Sequence, residues 1–487
     1  MHGLKEQARH GLVWSVIGSW GGKVIGMAIF VALARLVTPT SFGLVAMAAV
    51  FLTLMDMLVQ QGMTEALVQR DQLTNRLINT AFLVNVTLGI AFVALLLVLA
   101  PYIAAKLSTP GLSSILRASS ISVLITALCS TQIALYRRNF EYKLLAKRSI
   151  ASSTAGGIVG LAVALTGGEE WSLVAQTLCT AVVGAALLWR TPLWTPTLEF
   201  EASAFRELLS YGSNIFGSSI LSFLLTKGTD LLIGATMGTV ALGLYTVGSR
   251  ATLLLLQLFT GAVSDVAMSG LSRVSHDRQR LIDAYYGIVR LSGAVACPVF
   301  AVVAAVAPEF CVAVFGPEWA QSGVILQATA LLAVIQCIQF YNSTCFNAIG
   351  LPRLTLILNG VKLLFVYTSF LLTWKHGLVY VAYGLVIGQA LSTPLNYYFA
   401  HKYVGISVRT VLKDVAPFVL SGFGAVLGVA LLRAILAPHS PIMDLAIYSA
   451  AATTIYIAIV AVFGRRQCGE IIRMLKDIKD SRSTSND

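Results

Sequence analysis

The chain has 487 residues, 57% of them hydrophobic and only 11% charged, with a formal net charge of +12. A water-soluble protein of this length needs more charge to cover its surface, so the composition specifies a polytopic membrane protein and excludes a soluble enzyme or binding domain. The positive excess would suit nucleic acid, but its distribution along the chain assigns it to a membrane face instead.

Fourteen apolar stretches follow one another, near 12–35, 42–63, 78–100, 113–135, 148–166, 171–189, 208–234, 240–264, 284–307, 322–348, 354–374, 378–400, 413–436 and 442–463. Each has roughly the 20 residues that cross ~30 Å of hydrocarbon as a helix. The expected fold is therefore all-α, with about fourteen transmembrane spans. With the N-terminus placed inside, most of the 34 Lys and Arg residues fall on the cytoplasmic side. They include Arg137, Arg138, Lys143, Lys147 and Arg148, together with Arg290, Lys362 and the basic tail. The outer side receives Arg35, Lys106, Arg117, Lys375 and Arg433, and Lys23, Lys227 and Arg250 lie within spans. This bias sets both termini inside.

Val24 to Val31, followed by Ala32-Leu33-Ala34, resembles the end of a cleaved leader. The glycine-rich, lysine-bearing middle of the span argues against cleavage, as does an internal repeat that needs this segment.

That repeat is weak in identity and runs at an offset of 200 residues. Phe42-Gly43-Leu44 falls on Leu242-Gly243-Leu244, and Thr64-Glu65 on Ser264-Asp265. Six spans precede the offset and six follow it, the duplication of transporters whose substrate site lies between repeats. The expected organisation is an N-terminal six-helix lobe (1–190), a cytoplasmic linker rich in Pro, Thr and Glu (191–205), and a second six-helix lobe (206–404). Two added spans (405–464) and a basic cytoplasmic tail (465–487) follow. In the tail, Ile471, Met474, Leu475 and Ile478 share one helical face, suited to the inner leaflet or to a solvated helix.

In lipid, polar stripes mark the side of a helix that faces protein or water. Span one gathers Ser15, Gly18, Ser19, Gly22, Lys23 and Gly26 in one arc, and span two gathers Thr53, Asp56, Gln60 and Thr64. Span seven runs Asn214, Ser218, Ser222, Thr226 and Asp230 along an i+4 row, with Lys227 just before Asp230. Span eight aligns Thr246, Arg250, Gln257, Gly261 and Ser264, with Asp265 at the edge. Under the repeat these are equivalent spans. Small residues, and Gln336, Gln339, Ser343 and Asn347 on span ten, are the ordinary material of helix packing. The charges are different: each costs roughly 2.5–3.5 kcal/mol at the bilayer centre. A neutral pair such as Lys227–Asp230 is the structural reading. A water-filled cavity is the functional one, with Lys23, Lys227, Arg250, Thr226 and Gln257 binding an anion and Asp56, Asp230 and Asp265 serving as counterions or ion-coupling groups. Arginine and lysine suit phosphate.

The cysteines (129, 179, 297, 311, 337, 345, 468) form no CxxC pair, and no Walker A, GxGxxG after a strand, or HExxH sequence occurs. Neither a metal nor a cofactor is expected.

The stretches LARLVTPTSFGLVAMAAVF, QQGMTEALVQR, ALYRRNFEYKLLAKRSI and FRELLSYGSNIFGSSILSFLLTKGTDLLIGATMGTVALGLYTVGSRA resemble the polysaccharide-transport family of lipid-linked oligosaccharide flippases. This is the Wzx-like branch of the multidrug/oligosaccharidyl-lipid/polysaccharide exporter superfamily, of the colanic-acid and succinoglycan type. The resemblance implies two six-helix bundles around an alternately opening vestibule, plus two C-terminal helices. It also implies an undecaprenyl-diphosphate-linked oligosaccharide as substrate in a bacterial inner membrane, with a polymerase or export complex as a further partner and no nucleic acid. A cation antiporter of the same superfamily would want an acidic cavity. A polysaccharide polymerase or ligase would want a large outward loop, whereas the outward loops here are short.

Overall fold

A segment in hydrocarbon has no water to satisfy its backbone, so every N–H and C=O must be paired within the segment, and helices result. The computed structural model describes residues 14, 20–60, 64, 67–68, 73–203, 205–206, 217, 219–273, 276–437, 440–471 and 473, with the side chains of 260–273 outside that description. The described residues form helices and no strand. Twelve helices are long and apolar enough to cross a membrane, and Trp20–Ala34 adds a shorter apolar one. One of the twelve, Ser219–Phe259, spans 41 residues and is two helices: Gly238, at φ 85° and ψ 178°, breaks it. Only a residue without a Cβ adopts that backbone readily. With that break the helices correspond to the expected fourteen.

We number them α1 Trp20–Ala34, α2 Pro39–Gln60, α3 Asn75–Lys106, α4 Leu112–Arg138, α5 Tyr142–Leu165 and α6 Glu169–Trp189. Then follow α7 (219–237), α8 (239–273), α9 Arg278–Ala305, α10 Ala320–Ala348, α11 Pro352–Thr373, α12 Leu378–Tyr403, α13 Val408–Ile435 and α14 Pro441–Phe463. Side chains start several of them. The Thr74 hydroxyl accepts from the Leu77 N–H at 3.2 Å ahead of α3, and Asp277 accepts from Gln279 and Arg280 ahead of α9. These bonds satisfy N–H groups that a helix leaves open at its start.

The chain divides into two compact units, Met1–Thr246 and Val247–Asp487. In unit 1, α3 pairs with α4 and α5 with α6, while α2 packs on α4 and α6. Small residues let the helices approach: Gly156 and Gly160 of α5 sit against Thr180 and Gln176 of α6, and Gly89 of α3 sits against Ala127 of α4. At its start, α2 crosses α8 backbone to backbone, with Gly43 against Thr239 and Gly243 against Pro39. Beside that crossing, the buried Ser41 hydroxyl donates to Glu169 at 2.8 Å and to Glu170 at 3.2 Å at the start of α6.

The polar segment after α6 is strapped to unit 1. Asn79 accepts from the Thr197 N–H at 3.1 Å and donates to its hydroxyl. The Thr80 hydroxyl accepts from the Glu201 N–H at 3.0 Å. Gln132 accepts from the Leu193 N–H and donates to the Trp194 carbonyl, and the Tyr136 hydroxyl donates to the Thr191 carbonyl. Asn79, Thr80, Gln132 and Tyr136 are all buried.

In unit 2, α9 packs on α10 and α13, α11 on α12, and α13 on α14. Its interior is polar between α9, α10 and α12. Tyr285 donates to Asn342, Asn342 to Asn396 at 2.6 Å, and Gln389 to Gln339 at 3.2 Å. Gln339 thus belongs to helix packing. Near the end of α13, Arg433 makes a two-pronged bond to Glu309, at 2.7 and 2.9 Å, and lies over Tyr448.

The start of the tail is part of unit 2. Cys468 and Ile471 pack against a core containing Cys297, Phe418 and Tyr456, and Gln467 donates to the Lys413 carbonyl at 3.1 Å. Arg290 holds Asp414 at 2.9 Å and also pairs with Glu470, which Arg466 holds at 3.0 Å. Ile471 is therefore packed on protein rather than laid on the leaflet; Met474, Leu475 and Ile478 lie outside the described residues. Arg290, counted toward the inner side, stands within α9, where two carboxylates hold it.

Candidate functional site

Lys227 is carried on a π-helical turn, Leu224–Gly228, within α7. A π turn inserts one residue and rotates everything beyond it, and such turns recur at functional sites. The i+4 row from Ser222 to Asp230 is therefore not a continuous α-helical stripe. Ser222 and Thr226 are both exposed, and the Thr226 hydroxyl donates to the Ser222 carbonyl at 2.8 Å. The turn brings the Lys227 ammonium 2.9 Å from the Asp230 carboxylate. The lysine side chain is 36% exposed and the aspartate 14%, so the pair opens on one side through its cation. Tyr245, which the sequence reading passed over, lies near Asp230.

Asp56 lies toward the far end of α2, half buried, next to Thr126 of α4. Its Oδ1 is buried with no hydrogen-bond partner. An unpaired buried acceptor costs about 1–3 kcal/mol, so this carboxyl is poised to take a proton or a cation. Lys23, half buried on α1, makes no ion pair with a described residue. Gly22 beside it meets Ser149 of α5, whereas a Cβ on Gly26 would meet nothing within 4 Å. Gly22 and Gly26 share one side of α1, so this arc packs on α5 at Gly22 and is open one turn further on, at Gly26.

In unit 2, Arg250 and Gln257 are both exposed on α8, seven residues and two turns apart, hence on one face. Arg250 also has a partner within the protein, and a charge in the middle of an apolar helix faces protein or water rather than hydrocarbon. Asp265 falls in α8, but its side chain lies outside the described residues, as do Asn214 and Ser218. Among the described residues, no group of three or more His, Cys, Asp or Glu could hold a metal ion.

Two further ionisable residues that count toward the inner side lie within helices. Arg148 is inside α5, where its Nε donates to the Gly184 carbonyl of α6 at 2.7 Å. Lys362 is at the midpoint of α11. The signal for both was available in the span boundaries, since each residue falls inside an apolar stretch.

Comparison with known proteins matches a family model described as polysaccharide biosynthesis protein over residues 32–324. The succinoglycan biosynthesis transport protein ExoT of Rhizobium meliloti (strain 1021) is 25% identical over 321 residues, which is 65% of this chain and 64% of that protein, just under two thirds of its length. The lipopolysaccharide biosynthesis protein WzxC of Escherichia coli (strain K12) is 21% identical over 427 residues, 86% of each chain. Among solved structures, the inward closed conformation of lipid II flippase MurJ superposes with a TM-score of 0.73 at 15% identity, covering 93% of this chain and 99% of that one. The resemblance read from the sequence holds, and so does the fold it implied: a multi-pass membrane protein with the flippase architecture. The family model spans well over half the chain and the relatives align on both sides of the repeat, so the chain belongs to the polysaccharide biosynthesis protein family.

Proposed function

We propose that this chain is a flippase that moves an undecaprenyl-diphosphate-linked oligosaccharide from the inner to the outer leaflet of a bacterial inner membrane. It does so by alternating access, with both termini in the cytoplasm and no covalent chemistry. The two six-helix lobes, 1–190 and 206–404, alternate their openings, and the added spans 405–464 and the basic tail accompany the second lobe.

One observation carries the reading. Lys227, at the middle of an apolar helix, is held on a π turn with its ammonium partly exposed and its one counterion behind it. A purely structural pair has no need of an exposed cation in hydrocarbon, whereas an arriving diphosphate supplies the second anion that the ammonium lacks. Lys23 and Arg250 are the further cations assigned to the anion, Thr226 and Gln257 are assigned to sugar hydroxyls, and the polyprenyl tail stays in lipid. Asp56, with its unpaired oxygen, is the group best suited to couple transport to a proton or sodium gradient. Asp230 and Asp265 act as counterions.

The test is surface polysaccharide in a cell that depends on this chain. Lys227→Ala or Arg250→Ala should abolish polymer while the protein still inserts and folds. Normal polymer from a Lys23/Lys227/Arg250 triple alanine variant refutes the reading.

A further inference from the structure

Lys362 stands halfway along the 22 residues of α11, about 16 Å from either end at 1.5 Å per residue. Four methylenes cannot carry its ammonium to a membrane interface from there. Its direction around the helix is also fixed. Thr355, Asn359, Ser369 and Thr373 share its side at helical spacing, while Leu356, Ile357, Leu364 and Leu371 are exposed on the other. Ser369 meets Gly388 of α12 and Thr373 meets Gly384, so this is the side that α11 turns toward protein.

The helices packed against α11 are α12 and α10, and both carry buried amides. The bundle beyond α11 holds the amide pairs Gln339–Gln389 and Asn342–Asn396. The three helices α10, α11 and α12 contain no Asp or Glu. Among the described carboxylates elsewhere in unit 2, Asp414 and Glu470 pair with Arg290, Glu309 with Arg433 and Asp277 with Arg280, Asp283 accepts from Gln279, and Glu318 and Asp444 stand in the first turns of other helices. Among the described residues Lys362 has neither an ion pair nor a hydrogen bond, and its side chain is half buried. An ammonium so placed is among the most expensive groups a membrane helix can carry, and intramembrane cations persist where they meet an anion in use.

We propose that Lys362 receives an anion within unit 2: a carboxylate or phosphate oxygen of the transported molecule, with the neighbouring hydroxyls and amides taking sugar hydroxyls. This rests on the transport reading for the identity of the cargo, but the anion site itself can be tested without it. A carrier phosphate and an acidic sugar share the chemistry that a lysine recognises.

The experiment measures the melting midpoint of the purified full-length protein with inorganic diphosphate, D-glucuronate or D-glucose, at matched ionic strength. Wild type should be stabilised by at least one anion beyond glucose. Lys362→Gln should lose at least half of that shift, Lys362→Arg should keep most of it, and Lys402→Gln, a control at the inner end of α12, should keep all of it. A shift with diphosphate alone identifies the carrier's phosphates, and one with glucuronate alone identifies an acidic sugar. Lys362→Gln should melt no lower than wild type without a probe, because it removes a half-buried unpaired charge; should it not fold, Lys362→Met serves the same purpose. Two outcomes overturn the proposal: an undiminished anion shift in the neutral variants, or no anion stabilising wild type beyond glucose. Surface polymer in the same strains reads the transport proposal separately, so the site can fail while transport stands, and the reverse.

Discussion

Gly43 and Gly243 lie against each other and each other's helix in a reciprocal contact. A Cβ on Gly43 would meet the Thr239 carbonyl and come within 2.9 Å of the Gly243 nitrogen. A Cβ on Gly243 would meet the Pro39 carbonyl and come within 3.0 Å of the Gly43 nitrogen. Pro39 and Thr239 are themselves one repeat apart. A contact in which i meets the equivalent of j, and j the equivalent of i, has a local two-fold axis through it. The faint sequence repeat is thus realised in space at this point.

Backbone atoms cannot rotate aside as a side chain can, so Gly43→Ala or Gly243→Ala has to separate the two helices. Each should cost about 1–3 kcal/mol, the usual range for overpacking. The double variant should cost less than the sum, because both methyls break one contact. Denaturant unfolding of the three variants checks both statements, and additive losses would show that the glycines act independently.

At the Lys227–Asp230 pair, stability and transport should part company. Lys227→Met or Asp230→Asn leaves its partner's charge alone in the span. Removing one member of a buried pair costs 3–5 kcal/mol, and because Lys227 is partly exposed we expect about 1–2 kcal/mol. Lys227→Met with Asp230→Asn should recover most of that stability yet make no surface polymer. Polymer from the double variant would mean that the pair is structural.

The straps on the 191–201 segment give a local prediction. Asn79→Ala and Gln132→Ala each leave linker backbone groups without their partners, a penalty of about 1–3 kcal/mol. Limited proteolysis should cut this segment faster in both variants. Asn85→Ala, which loses a bond to Ser130 at 2.9 Å and none to the linker, should leave the cleavage rate unchanged.

The docked tail should respond to acid. The Glu470 carboxyl is held below its usual value of 4.5 by the hydrogen bond from Arg466, with the charge of Arg290 adding to it. A carboxylate whose folded value is lowered contributes stability above its ordinary value, and that contribution is lost as pH falls through the lowered one. Amide protection across residues 465–471, followed by hydrogen exchange, should therefore be constant from pH 7 to about 5 and fall below about 4.5. Arg290→Met should weaken protection at every pH and flatten the acid dependence.

Much of this fold is legible in the sequence because hydrocarbon imposes one rule on every span. The helix α11 needs nothing more than its apolar length, and the paired repeat of Gly43 with Gly243 needs a register of 200. What escapes the sequence is whatever departs from a uniform 3.6-residue period or depends on contact. The π turn under Lys227 rotates the stripe that the period would draw. Gly238 ends α7 only because its backbone adopts φ 85°, which a hydropathy pattern does not display. Ile471 has the same amphipathic signature whether it meets lipid or Phe418, and only the docked carboxylate of Glu470 separates the two. Lys362 is legible by position as a charge within a span, whereas counting basic residues toward the nearest interface places it at the cytoplasmic face.

The bonds from Asn79, Thr80, Gln132 and Tyr136 also set the length of a leash. Eleven residues that composition would class as a free tether travel with α3 and α4, so an insertion between Thr191 and Glu201 has to tear loose backbone already anchored. Swapping a longer spacer into this stretch would not lend the second half extra reach; it would first unmoor the first.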